Sequence, residues 1–171
     1  ETSFRPRGKS ALILGAGGAS RAILYALCQH GVKKIFLANR TRSRAVVLSR
    51  RFKKIFPKAK IKDIPLTPQQ LSLVFPKIDL LINTTSVGLK GTRFKQLPPL
   101  KRLPRHAIVS DIVYRPLETP LLKEARRCHL QTHGGIGMLL HQALLAYRIW
   151  TRKKPDLRLL RKGLLDALKE S

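Results

Sequence analysis

Glycine residues crowd the point near the start of the chain where an apolar run gives way to an amphipathic one: Gly15, Gly17 and Gly18. Residues 11–14 predict a short buried strand and residues 19–30 a helix, so the glycines occupy a tight strand-to-helix turn. Such a turn binds anions, because Gly15 lets the chain turn sharply and Gly17 leaves the main chain open to a pyrophosphate at the helix N-terminus. Small residues replace the third glycine of the usual fingerprint: Ala19 and Ser20. An ordinary glycine-rich turn is the alternative.

The segment after the second apolar run, residues 34–38, is rich in arginine and holds no acidic residue. In a dinucleotide-binding domain the end of the second strand meets the adenosine ribose, and an acidic residue there would bind the 2′-hydroxyl of NAD. Guanidinium groups suit a 2′-phosphate instead, because their planar fork binds it bidentately. The arginines at this strand end therefore favour NADP over NAD: Arg40, Arg42 and Arg44. A generally basic surface is the alternative.

Strands and helices alternate along the rest of the chain. Further strands are predicted at residues 60–64, 78–83, 107–114 and 130–132. Further helices are predicted at residues 45–56, from Pro68, and at residues 120–128, 139–150 and 156–169, with Thr67 and Thr119 as N-caps. This alternation predicts a Rossmann-like α/β fold: a doubly wound, mainly parallel sheet with helices on both faces and two C-terminal helices. Residues 90–104 are predicted to be loop.

Side-chain positions follow from the same periodicity. In the helix at residues 45–56 we expect Val46, Val47, Leu48 and Phe52 to face the core, and Arg50, Arg51, Lys53 and Lys54 to face solvent. In the last helix we expect Leu157, Leu160, Leu164 and Leu168 to form one stripe. Trp150, at the end of the helix predicted at residues 139–150, is expected to be a packing anchor. The apolar stripes of these two helices could serve a neighbouring domain or a second subunit.

Other polar residues are weaker candidates. Asp79 begins a strand and is expected to be a structural partner of backbone or arginine, whereas Asp111 lies close to the predicted cleft. Cys128, His129 and His133 lack a fourth ligand, so we predict no metal site. His141 is expected to pack on its helix or to touch a domain outside this chain.

Composition bounds the function. The net charge is +26, from 35 Lys and Arg against 9 Asp and Glu. We favour a solvated basic surface, and a nucleic-acid or other polyanion-binding module stays the alternative. With no apolar run of about 20 residues and no secretory signal, we expect no membrane span, and the two cysteines favour a reducing, cytoplasmic setting.

The chain does not begin with Met, and we expect residues 1–10 to lead in from an upstream domain. Residues 11–151 would form the NADP-binding domain, and residues 152–171 a helix packed on it or on the absent domain.

Five motifs together resemble the C-terminal half of shikimate dehydrogenase, in order and spacing over almost the whole chain. They are Gly15-Ala-Gly-Gly-Ala-Ser-Arg-Ala22, Asn39-Arg-Thr41, Ile82-Asn-Thr-Thr-Ser-Val-Gly88, Asp111-Ile-Val-Tyr-Arg-Pro116 with Thr119-Pro-Leu-Leu122, and Gly134-Gly-Ile-Gly-Met-Leu-Leu-His-Gln142. The resemblance implies reversible, NADP-dependent interconversion of 3-dehydroshikimate and shikimate.

The resemblance also implies residue roles. The pyrophosphate would lie on the glycine turn with Ala19 and Ser20, and the 2′-phosphate end on Asn39, Arg40, Thr41 and Arg44. The ribose and pyrophosphate side would contact Thr84, Thr85 and Ser86, and the nicotinamide would be flanked by Ile112, Gly135 and Met138. The substrate hydroxyls would be faced by Tyr114 and Gln142.

In the family the Lys and Asp that handle the proton lie in an N-terminal substrate domain, and these 171 residues match only the C-terminal half. We therefore predict no catalytic residue in this chain, which should bind cofactor with little turnover. A parent protein with dehydroquinate dehydratase fused upstream is also compatible with the resemblance. A pseudoenzyme that senses NADP is a further alternative function, and a homodimer is a further expected assembly.

Overall fold

The computed structural model describes residues 4–95, 97 and 99–169. Seven strands are present in these residues: β1 (Ser10–Leu14), β2 (Lys34–Asn39), β3 (Lys60–Pro65), β4 (Leu80–Asn83), β5 (Val87–Lys90), β6 (Ile108–Asp111) and β7 (Gln131–His133). Six of them form one sheet in the order β3-β2-β1-β4-β6-β7, and every pairing in it is parallel. Because the chain runs outward from β1 in both directions, the strand order reverses between β1 and β4. The predicted doubly wound sheet is confirmed.

Six helices connect and follow the strands in the described residues: α1 (Gly18–Gln29), α2 (Arg42–Ile55), α3 (Pro68–Val74), α4 (Pro120–Arg127), α5 (Ile136–Thr151) and α6 (Leu157–Lys169). Short 3-10 turns lie at Phe75–Lys77 and Leu100–Arg102. The predicted caps are confirmed, since the hydroxyls of Thr67 and Thr119 accept hydrogen bonds from the first turns of α3 and α4. No helix of the described part of the chain is long and apolar enough to span a membrane.

The sheet has a buried core on each face. On β1, Leu12 and Leu14 join the cluster that packs under α3 and α4, whereas Ala11 and Ile13 join the cluster under α1 and α2. This alternation is the period of two that a strand imposes on its side chains. Both clusters extend across β1 and β4, so the two strands on either side of the reversal point have buried side chains on both faces.

Three predictions about side chains and strand ends are corrected. Val47 is 66% exposed, because the buried stripe of α2 runs through Ala45, Leu48, Ser49 and Phe52. Trp150 is 82% exposed and anchors nothing, because the buried residues of α5 are Gly137 and Leu140, near the helix start. β6 ends at Asp111 rather than at residue 114, because the Asp111 carboxylate accepts a hydrogen bond from the Val113 amide and turns the chain.

Two further predictions hold in part. The segment predicted as loop, residues 90–104, contains the end of β5 and the 3-10 turn at Leu100–Arg102, and positions 96 and 98 lie outside the described residues. On α6, Leu160, Leu164 and Leu168 are half-buried, but Leu157 is 46% exposed.

Candidate functional site

The glycine turn lies at the carboxyl end of β1, beside the point where the strand order reverses. Gly15 has a φ of +112°, and its amide donates to the Ala38 carbonyl at 2.8 Å. A Cβ at this position would collide with the hydroxyl of Thr84. Ser20 is fully buried and donates to the Gly15 carbonyl at 3.0 Å, so the residue in place of the third glycine stabilises the turn. The turn therefore needs glycine at position 15 for both conformation and space.

The other side of the turn is open. Nothing lies within 4 Å of the positions where Gly17 and Gly18 would carry a Cβ. Gly17 is the N-cap of α1, and no side chain caps the helix, so the first amides of α1 are directed at this open space. An anion can approach the main chain here with the positive end of the helix dipole behind it. The sequence predicts a pyrophosphate at this open helix start, and Ala19 lies in the same first turn.

The polar turn after β4 packs directly against the glycine turn. The amide and the hydroxyl of Thr84 both donate to the Leu14 carbonyl, at 2.8 and 2.7 Å. The Thr85 hydroxyl donates to the Asn83 side chain at 2.7 Å and accepts from the Val87 amide at 3.0 Å. Ser86 is exposed. Thr84 is thus used to fix β4 against β1, which leaves Thr85 and Ser86 nearer to solvent.

The end of β2 carries the predicted arginines. Asn39 donates to the Thr41 carbonyl at 2.8 Å and shapes the turn into α2, while Arg40, Thr41 and Arg44 are exposed. A cleft of about 390 Å³ lies between the first turn of α1 and the first three turns of α2. Its lining is Ala16, Gly17, Arg21, Ser43, Arg44, Val47, Leu48 and Arg51. The structure thus brings Gly17 and Arg44 to one cleft, called here the arginine cleft, and leaves Arg40 and Thr41 at its outside.

A second cleft, of about 520 Å³, lies where β6 and β7 end and α5 begins. The residues predicted to flank a nicotinamide share it: Ile112, Gly135 and Met138. Gln142 also lines it, but Tyr114, which is 39% exposed, does not. A Cβ on Gly135 would collide with the Ile112 carbonyl, so the start of α5 is in direct contact with the chain that leaves β6.

A buried hydrogen-bond network supports this second cleft. Asp111 accepts hydrogen bonds from Asn83 at 2.8 Å, from the Val113 amide at 3.0 Å and from the Thr119 hydroxyl at 2.7 Å. Burial raises the pKa of Asp111 above its ordinary value, and the three donors oppose that shift. The network ties β4, β6 and the start of α4 together. Asp111 is therefore a structural group at the cleft, a role that its position in sequence did not reveal.

The other candidate residues lie elsewhere or have structural partners. Asp79 is at the amino edge of the sheet, opposite the glycine turn, and binds the Ser10 amide, Lys9 and His106. Its predicted structural role is confirmed, although Lys and His take the place of the expected arginine. His133 contacts Ser110 at 3.1 Å, and His141 lines the second cleft. Among the described residues, no three His, Cys, Asp or Glu side chains are grouped as metal ligands.

Sequence reasoning missed two arginines of the arginine cleft. Arg21 lies in the first turn of α1, and Arg51, which was expected to face solvent only, lies two turns after Arg44 on α2. The spacing of seven residues between Arg44 and Arg51, which places them on one helix face, was the available signal.

An all-parallel sheet with this strand order, a glycine turn at the reversal point and clefts at its carboxyl edge defines a Rossmann-type α/β domain. Within that class, a family model described as "Shikimate / quinate 5-dehydrogenase" matches residues 2–112, and one described as "Shikimate 5'-dehydrogenase C-terminal domain" matches residues 135–165. The chain belongs to the shikimate / quinate 5-dehydrogenase family.

Relatives agree with this assignment. A shikimate dehydrogenase (NADP+) of Nitrobacter winogradskyi is 44% identical over 165 residues, which cover 94% of this chain and 55% of that protein. The shikimate 5-dehydrogenase of Listeria monocytogenes, solved with shikimate and NAD, superposes with a TM-score of 0.82 at 32% identity, over 92% of this chain and 56% of that one. The Thermus thermophilus enzyme, solved with NADP(H) and shikimate, superposes with a TM-score of 0.77 at 34% identity, over 95% of this chain and 56% of that one. The chain thus spans about half the length of the relatives it matches.

Proposed function

We propose that this chain is the cofactor-binding part of an NADP-dependent shikimate dehydrogenase, which reduces 3-dehydroshikimate reversibly to shikimate. The observation that carries the proposal is the pair of clefts along the carboxyl edge of the sheet. One joins the open glycine turn to Arg44, and the other joins Ile112 to Gly135 and Met138. A dinucleotide lying across the reversal point of the strands would reach both. Family membership and the named activity of the relatives support the same reaction.

The residues of each cleft fit the corresponding part of the cofactor. The open face of Gly17 and Gly18 and the free amides of α1 would hold the pyrophosphate, with Ser20 keeping the turn in shape. Arg40 and Arg44 would bind the 2′-phosphate by charge-assisted hydrogen bonds, with Asn39 and Thr41 shaping their turn. Thr85 and Ser86 would lie along the ribose and pyrophosphate side, and Thr84 would support them from behind.

The second cleft would orient the reacting ring. Ile112, Gly135 and Met138 present an apolar, closely packed wall that would hold the nicotinamide and exclude water from one of its faces. NADPH, when bound, supplies the hydride of the reduction. Gln142, and Tyr114 at the margin, would face the substrate hydroxyls.

Reduction of a ketone also needs an acid that protonates the oxygen. We expect that group to come from residues outside these 171, because the relatives are nearly twice as long as their matched part. Tight NADPH binding with little turnover is therefore expected of this chain alone.

Calorimetric titration of the chain with NADPH and with NADH tests the proposal. We expect NADPH to bind more tightly, and Arg40→Ala or Arg44→Ala to remove most of that difference. Arg50→Ala is the matched control, since it removes an equal charge from the exposed face of α2 and does not line the arginine cleft. Equal binding of the two nucleotides would contradict the NADP assignment. Absence of binding would contradict the cofactor site and would favour a different anionic ligand.

We further propose a cytoplasmic location and a homodimer. The two cysteines, Cys28 and Cys128, are unpaired, and burial raises the pKa of Cys28 to about 11, which keeps its thiol protonated. Ile149 and Trp150 on α5 leave apolar surface for a subunit contact. Sedimentation equilibrium of the purified chain would measure its oligomeric state.

A further inference from the structure

The arginine cleft carries more positive charge than the predicted 2′-phosphate site accounts for. Arg44 stands in the first turn of α2, and Arg51 follows seven residues later on the same face. Arg21 reaches the cleft from the first turn of α1. Three guanidinium groups from two helices thus surround one space of about 390 Å³.

Among the described residues, no carboxylate neutralises this group of arginines. The sequence contains no Asp or Glu from residue 2 to residue 62, a segment that includes all three arginines. Within the part of the chain that the structure describes, no carboxylate forms an ion pair with Arg21, Arg44 or Arg51. Like charges held at one cleft repel one another, so a bound dianion would relieve an unfavourable interaction as well as form new hydrogen bonds.

The cleft wall defines what kind of anion fits. Val47 and Leu48 give it an apolar side, and Gly17 joins it to the open glycine turn. The ligand should therefore extend from the pyrophosphate position, place an apolar moiety on Val47 and carry a terminal phosphate among the arginines. A phosphate monoester dianion can accept paired hydrogen bonds from more than one planar guanidinium at once.

We propose that Arg51, supported by Arg21, is a specificity-determining residue that selects the 2′-phosphate of the dinucleotide over a free 2′-hydroxyl. This inference rests on the proposed function and adds to it, because selection would be shared between the turn after β2 and the third turn of α2. Arg51 would contribute to binding of NADPH and contribute little to binding of NADH, which lacks the phosphate.

The test compares Arg51→Gln with Arg50→Gln in the whole chain. Both residues are exposed neighbours on α2, and both changes remove one positive charge, but Arg50 does not line the cleft. We expect Arg51→Gln to weaken NADPH binding by roughly fivefold and NADH binding by less than about twofold, as loss of one charge-assisted contact at an exposed site implies. Arg50→Gln should change the affinity for NADPH and the affinity for NADH by less than about twofold. Arg51→Lys should give an intermediate loss, since it keeps the charge without the bidentate fork.

Each other outcome overturns the inference. Equal effects of Arg51→Gln and Arg50→Gln would show that only the general positive field matters. Equal losses for NADPH and NADH would place Arg51 at the pyrophosphate. Either result would leave the proposed function intact, provided that Arg44→Ala still removes the preference for NADPH. If the unmodified chain binds neither nucleotide, the proposed function and this inference fail together. Melting curves of both variants verify that the fold is unchanged.

Discussion

The hydroxyl of Thr84 stands in the space that a side chain on Gly15 would have to occupy. That hydroxyl is itself fixed, because it donates to the Leu14 carbonyl at 2.7 Å from a residue that is 8% exposed. The two strands at the reversal point of the sheet are therefore held together where the chain turns into α1. The glycine at position 15 is a packing requirement of the sheet, while the glycine at position 17 faces open space.

Gly15→Ala and Gly17→Ala should consequently fail in different ways. Gly15→Ala adds a Cβ at a φ of +112° and against Thr84, and we expect it to lower the free energy of unfolding by about 2–4 kcal/mol. Gly17→Ala should cost about 1 kcal/mol or less, as a change of an N-cap residue, yet weaken nucleotide binding by roughly tenfold because the methyl group enters the anion's approach. Urea unfolding and NADPH titration measure the two effects. Equal losses of stability would contradict this division of roles.

The start of α5 offers a second matched pair. A Cβ on Gly135 would meet the Ile112 carbonyl, whereas a Cβ on Gly134 would lie 3.7 Å from the Leu117 carbonyl, an ordinary contact. We expect Gly135→Ala to destabilise the fold by about 2–4 kcal/mol and Gly134→Ala by less than about 1 kcal/mol. Thermal unfolding followed by circular dichroism would check both. A Gly135→Ala protein as stable as the parent would show that α5 can move away from Ile112 at little cost.

Local patterns predicted most of the fold, because burial of strands and helices follows their own periods. β1 alternates between the two faces of the sheet as expected, and the threonine caps of α3 and α4 are where their Pro-containing starts placed them. Contacts between distant segments were not predictable in this way. The hydrogen bond from Asn83 to Asp111 joins residues 28 positions apart, and the approach of α1 to Arg51 depends on how two helices lie on the sheet. Trp150 was expected to be a packing anchor, although the buried residues of its helix, Gly137 and Leu140, lie near the other end.

The buried Thr119 hydroxyl should matter far more than the exposed Thr67 hydroxyl. Both cap a helix, but Thr119 also donates to the Asp111 carboxylate at 2.7 Å. We expect Thr119→Val to lower the free energy of unfolding by about 2–3 kcal/mol and Thr67→Val by about 1 kcal/mol or less.

The Thr119→Val loss should also depend on pH. Burial already raises the pKa of Asp111, and loss of the donor would raise it further. When the pKa of a carboxyl is higher in the folded than in the unfolded protein, the free energy of unfolding falls as the pH rises above 3.8, the unfolded value. The stability difference between the parent and Thr119→Val should therefore grow from acid to neutral pH. Chemical unfolding of parent and variant across that range would measure it, and a deficit independent of pH would contradict the assigned partner.

Asp79 should show the opposite dependence. Burial by itself would raise its pKa, but hydrogen bonds from the Ser10 amide, His106 and Lys9 outweigh that effect and lower the pKa below 3.8. Its contribution to stability is therefore present above pH 3.8 and lost as the pH falls further. We expect Asp79→Asn to cost about 1 kcal/mol at neutral pH and nothing in strong acid. Asp63→Asn, which removes the same charge from β3, is the control. A cost of Asp79→Asn that persists in strong acid would argue that shape rather than charge is lost.

The distribution of charge along the sheet gives the molecule a direction. Residues 2–62, which form β1, α1, β2, α2 and the start of β3, contain sixteen Lys and Arg and no Asp or Glu, whereas eight of the nine acidic residues of the chain follow them. The strand order places this acid-free segment on one side of the reversal point. The domain is thus an electric dipole superimposed on a large net charge, with its positive end toward β3. An incoming polyanion would be rotated so that its most highly charged end leads toward that half, within the roughly 8 Å over which physiological salt lets charges act. Orientation of the ligand would then precede contact with any particular side chain.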